Sequence, residues 1–82
     1  MNHYGLKVGA LYMSHTYELD ALYADSPYTD YVSIPVGDVV MITDIKKTAT
    51  GVDVLVLYKK HSLLVEFYGE NIYKWSTWLK PL

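Results

Sequence analysis

The chain reads as mainly β: a five-stranded antiparallel barrel with a long loop after strand 1 and one short helical turn before the last strand. Three observations predict it. Residues 34–42 (I-P-V-G-D-V-V-M-I) pass from a Pro/Gly/Asp turn straight into a β-branched run. Two more apolar runs follow at 52–58 and 63–68, each bounded by turn residues, and a Trp-bearing segment at 77–79 closes the chain. With 82 residues there is room for one core, so a single domain spanning 1–82 is expected.

The elements follow in order. Residues 7–13 (K-V-G-A-L-Y-M) form a plausible first strand, with Gly9 marking a bulge or a close backbone approach. Residues 14–33 show no sustained alternation after Leu22 and are punctuated by Glu18, Asp20, Asp25, Pro27 and Asp30, which predicts a long ordered excursion. Leu19, Leu22 and Tyr23 have i, i+3, i+4 spacing, so residues 15–24 could instead make a helical turn.

The second strand, 38–46, divides into Val39, Met41 and Ile45 on one face and Val40, Ile42 and Asp44 on the other. A polar connection ending at Gly51, placed to take a positive φ, predicts a hairpin to the third strand at 52–58. That strand is apolar on both sides, as expected of a central strand covered on its second face by the long loop. The fourth, 63–68, alternates cleanly, with Leu63, Val65 and Phe67 opposite Glu66 and Tyr68. Residues 72–75 make the helical turn, and Pro81 stops the last strand.

Composition excludes several classes of function. Hydrophobic residues at 51% and aromatic ones at 15% place the chain outside the disordered range. It has no cysteine, hence no disulfide or thiolate metal site, which fits a reducing compartment. No apolar run approaches the roughly 18 residues of a membrane span, and Met1, Asn2, His3 and Tyr4 lack the pattern of a signal peptide. The expected location is the cytoplasm, with no membrane contact.

Residues 10–12, A-L-Y, resemble the opening motif of SH3 domains, and residues 36–39, V-G-D-V, resemble the turn into their second strand. Residues 70–73 sit where those domains place a 3₁₀ turn ending in tyrosine. The resemblance implies an SH3-like small β-barrel, of a kind also found among phage accessory proteins and subunits of larger assemblies. It does not carry over the binding of Pro-rich peptides. The tryptophan that opens the third strand of those domains is replaced here by Val52 and Asp53, and the proline before the helical turn by Gly69 or Glu70. Only Tyr12 and Tyr73 map onto the peptide groove.

No enzyme signature is present. Ser14-His15 and His61-Ser62 are chain neighbours, which on an extended backbone point to opposite faces. The histidines lack metal-ligand spacing, and no glycine-rich phosphate loop occurs, so no cofactor is expected. Charge is split: residues 1–45 carry −5 and residues 46–82 carry +3 of the formal −2. Such a split fits intramolecular complementarity, head-to-tail self-association into a homo-oligomer, or two faces for two partners.

Nine tyrosines exceed what one small core can hold with every hydroxyl satisfied. Tyr12, Tyr58, Phe67, Trp75 and Trp78 are assigned to the core. Tyr17, Tyr23, Tyr28 and Tyr31, flanked by Asp20, Asp25 and Asp30, form an acidic aromatic surface suited to a protein partner with a basic surface. A tyrosine cage for a methylated lysine would use the same residues. The alternatives are a structural subunit of a larger assembly, or a nucleic-acid-binding barrel using Lys46, Lys47, Lys59 and Lys60, against which stand the absence of arginine and an isoelectric point near 5.8.

Overall fold

The computed structural model describes residues 2–25 and 30–82. Among these residues nine strands form: β1 (Asn2–His3), β2 (Leu6–Lys7), β3 (Leu11–Ser14), β4 (Leu19–Tyr23), β5 (Tyr31–Ile34), β6 (Val39–Lys47), β7 (Gly51–Tyr58), β8 (His61–Tyr68) and β9 (Leu79–Pro81), with a 3₁₀ segment (Gly69–Thr77) before the last. β1 and β2 pair only with each other, and the other seven make one curled antiparallel sheet in the order β5-β4-β8-β7-β6-β3-β9. No helix among the described residues is long and apolar enough to cross a membrane.

The sheet curls around a core drawn from one face of its strands. Val52, Val54, Val56 and Tyr58 of β7 interleave with Leu63, Val65 and Phe67 of β8, and Ile72, Leu79 and Leu6 close the ends. The alternation expected of β7 and β8 is observed, and β7 is the central strand.

Several expectations are corrected. The excursion at 14–33 is not a loop without strands, and 15–24 is not helical: β4 and β5 form a hairpin, with Leu19 opposite Ile34 and Leu22 opposite Tyr31. β4 also pairs with β8, which extends the sheet to seven strands instead of five. Pairing on both sides satisfies the β4 backbone more completely than one isolated helical turn could. The hairpin therefore extends the sheet sideways and does not cover the second face of β7, where Leu57 stays 41% exposed.

The first strand is interrupted. β2 ends at Lys7 and β3 begins at Leu11, with Gly9 between them at φ +89° and its N–H donating to the Ile42 carbonyl at 2.7 Å. The faces of β6 also differ from the simple alternation. Thr43 is an extra residue between the pairs Ile42/Val56 and Asp44/Leu55. This bulge restores Ile45 to the buried side of Val40 and Ile42, while Val39 is exposed.

Gly51 has no positive φ. It is a strand residue, and a Cβ there would be driven into the Phe67 carbonyl. The helical turn is longer than residues 72–75: it runs over Gly69–Thr77 with a kink at Lys74. Trp75 and Trp78 in and after it are half-buried, whereas Tyr12, Tyr58 and Phe67 are buried as expected.

Candidate functional site

The hairpin delivers part of the acidic aromatic surface to a seam between β4 and β8. Leu22 lies opposite Leu64, and the same antiparallel register sets Asp20 beside Glu66 on the outer face. These two carboxylates form a shared wall between two shallow depressions. On one side, about 160 Å³ is lined by Glu18, Asp20, Glu66, Phe67, Asn71 and Trp78, among others. On the other, about 140 Å³ is lined by Asp20, Leu22, Tyr31, Leu64, Glu66 and Tyr68, among others. Among the described residues no lysine lines either depression.

The seam is held in place by neighbouring structure. Ser33 Oγ donates to Asp20 Oδ1 at 3.0 Å across the hairpin, which fixes the carboxylate. The Trp78 ring meets Phe67 edge-on at 5.8 Å between centroids, so the aromatic wall rests on the core. The charge of the seam perturbs its members. A hydrogen bond to Glu66, and then the Glu66 charge, raise the pKa of the Tyr68 hydroxyl. Asp53, opposite Glu66 in β7, is raised by burial first and by Glu66 second, with Lys46 acting in the other direction. The like charges of Asp20 and Glu66, side by side, give the seam a negative potential.

Of the residues expected to meet a partner, Asp20 and Tyr31 share the second depression. Tyr31 is 78% exposed. Tyr23 and Asp25 line a different one beside Lys60, His61 and Ser62, where the Tyr23 ring meets His61 edge-on at 5.5 Å. Tyr17 is exposed ahead of β4 and lines neither depression of the seam, Asp30 is exposed just before β5, and Tyr28 lies outside the described residues. Glu66, Tyr68, Asn71 and Trp78 were not among the expected contact residues. The exposed side of the β8 alternation signalled Glu66 and Tyr68, but only the pairing of β4 on β8 brings them to Asp20.

The four lysines of the alternative site are not brought together. Lys46 and Lys47 pair with Asp53 and Val52 at one end of β7, while Lys59 and Lys60 turn the chain at the other. Asp53 and Tyr58 are five residues apart, about 17 Å along a strand. Lys46 Nζ lies 3.8 Å from Asp44 and Lys59 Nζ 3.9 Å from Asp38, and Lys59 also sits over the Tyr58 ring at 5.3 Å. Half of the expected cationic track thus faces carboxylates of its own chain.

The residues of the Ser14-His15 pair are engaged elsewhere. Ser14 is buried and donates to the Tyr17 carbonyl, while His15 Nε2 is 2.6 Å from the Ser76 carbonyl and Nδ1 is 3.3 Å from Thr16 Oγ1. No group of three or more potential metal ligands is found among the described residues. Comparison with family models, curated proteins and solved structures returns no match. The site is therefore read from its own chemistry.

Proposed function

We propose that the chain is a non-enzymatic protein-interaction module on an SH3-like barrel, whose acidic, aromatic seam holds a lysine- or arginine-bearing segment of a protein partner. The observation that carries this reading is the Asp20/Glu66 wall with aromatic rings on both sides. A cation placed there gains two carboxylates with the aromatic side chains of Tyr31, Tyr68 or Trp78 beside them. Depressions of about 160 and 140 Å³ fall below the roughly 300 Å³ of a small-molecule pocket and match single side chains. The order of elements supports the SH3-like reading: a first strand, an excursion, three meandering strands, a 3₁₀ segment, and a last strand pairing with β3. The hairpin within the excursion is the departure from the five strands that the resemblance implies.

The test uses two synthetic peptides of about ten residues, one alternating lysine with valine and one alternating glutamate with valine. The protein should bind the lysine peptide, with affinity falling as salt rises. The double variant D20N/E66Q should weaken that binding about tenfold or more. Equal affinity for the two peptides, or binding of the lysine peptide unchanged in D20N/E66Q, would overturn the proposal.

A further inference from the structure

The outer strand on the hairpin side, β5, ends the sheet among the described residues, and its outer edge lies immediately next to the acidic wall. The Tyr23 N–H donates to the Asp30 carbonyl, and the register continues Leu22/Tyr31, Ala21/Val32, Asp20/Ser33 and Leu19/Ile34. Hydrogen-bonded and non-hydrogen-bonded pairs alternate along an antiparallel ladder. Val32 and Ile34 therefore turn their backbone groups to β4, whereas Tyr31 and Ser33 direct their N–H and C=O groups outward. Among the described residues no strand pairs with this side of β5.

The two edges of the sheet differ in protection. β9 is three residues long and carries Lys80 and Pro81, devices that block strand addition. β5 reads Tyr-Val-Ser-Ile, with neither a charge nor a proline inside it. Its neighbourhood is acidic, with Glu18 and Asp20 on the β4 side and Asp30 just ahead.

We propose that the basic partner segment binds as an added β-strand on the Tyr31–Ile34 edge, so that its alternate side chains lie over Tyr31 and Ser33 and reach Asp20. The distances fit. Strands lie about 4.8 Å apart, which puts Asp20 roughly 10 Å from the new strand, within the combined reach of a four-carbon lysine stem and the aspartate side chain. The backbone supplies affinity and the alternate lysines supply selectivity. Charge favours such a partner over a second copy of this chain, because pairing two β5 edges would set two acidic seams side by side. The inference rests on the basic-partner reading above and adds the binding mode to it.

Backbone N-methylation of the lysine–valine peptide tests the mode without altering the protein. Methylating the alternate amides that face β5 should weaken binding about tenfold or more, while methylating the other set should not. Equal sensitivity of the two sets, or of neither, would overturn strand addition. In the protein, Ser33→Pro removes an outward N–H that the β4 ladder does not use, a place where an edge strand tolerates proline. Measured against Ser33→Ala, which shares its loss of the Asp20 hydrogen bond, it should bind the peptide about tenfold more weakly. Should Ser33→Pro fail to keep the native circular dichroism, the methylated peptides decide. Loss of binding in D20N/E66Q together with unchanged binding in Ser33→Pro would leave the basic-partner reading standing and remove the strand mode. A dimer by light scattering that Ser33→Pro converts to monomer would assign the edge to a second copy and overturn the proposal.

Discussion

Two aromatic regions of the molecule differ in what their rings meet. At the N-terminal hairpin, Trp75 donates its Nε1–H to the Tyr4 carbonyl at 2.6 Å, meets Tyr12 edge-on at 5.7 Å, and lies against Gly5. Tyr73 meets Tyr4 edge-on at 5.6 Å in the same cluster. There the Trp75 ring is half-buried and its indole N–H has found a partner, while Tyr73 stays exposed at the rim of the cluster. At the seam, Tyr31 and Tyr68 stand out from the sheet beside carboxylates that carry like charge. The same residue types thus pack on one another in the first region and stand exposed beside carboxylates in the second, where the proposed cation would bind.

The largest expected effect tests this contrast directly. Trp75→Ala removes a half-buried ring, two packing partners and a hydrogen bond, and should cost about 2–3 kcal/mol, lowering the melting temperature by about 10 °C or more. Tyr31→Ala should shift stability by no more than about 0.5 kcal/mol while weakening the binding of the lysine–valine peptide. If Tyr31→Ala destabilises as much as Trp75→Ala, the seam is part of the core's scaffolding and the division fails.

A smaller effect probes how the Trp75 cluster is built. Tyr4 and Gly5 both adopt positive φ, +59° and +89°, which is the pattern of a tight two-residue hairpin turn. A Cβ on Gly5 would also lie 3.4 Å from the Trp75 ring. Gly5→Ala should therefore cost about 1–2 kcal/mol by thermal melting, through strain in the left-handed region. It should leave peptide binding at the seam unchanged, since Gly5 lies against Trp75 and lines neither depression of the seam.

The sequence makes β7 and β8 legible because their core residues alternate without interruption, even though Leu55, Leu57 and Leu64 make the other face partly apolar. β4 is hidden. Leu19 and Ala21 point to the core, yet Leu22 is also buried, on the outer side opposite Leu64, so the period of two is masked. The faces of β6 could not be assigned by counting, because the extra residue at Thr43 reverses parity halfway along. The site was half legible for a related reason. Asp20 and Tyr31 could be singled out by composition, but Glu66, Tyr68 and Trp78 join them only through a pairing between segments some forty residues apart in the chain.

The smallest expected effect concerns Asp53, which links the seam to the middle of the sheet. Its residue lies opposite Glu66, and burial, then Glu66, raise its pKa above the ordinary 3.8. A pKa raised on folding means that the proton is held more tightly in the native state. Its stabilising contribution is complete below the unfolded-state value and is lost as pH rises through the folded-state value, so at neutral pH the ionised Asp53 opposes folding. Asp53→Asn mimics the protonated form. It should raise stability at neutral pH by a few tenths of a kcal/mol, a gain kept small by solvent screening, and the gain should vanish below about pH 3.8. A bound lysine segment would bring positive charge to the Asp20/Glu66 wall, one strand away from Asp53. Saturating both the wild type and the Asp53→Asn variant with the lysine–valine peptide should therefore shrink the stability difference between them at neutral pH. A difference that persists undiminished would mean that the cation docks too far from Glu66 for the seam's charge to be what recruits it.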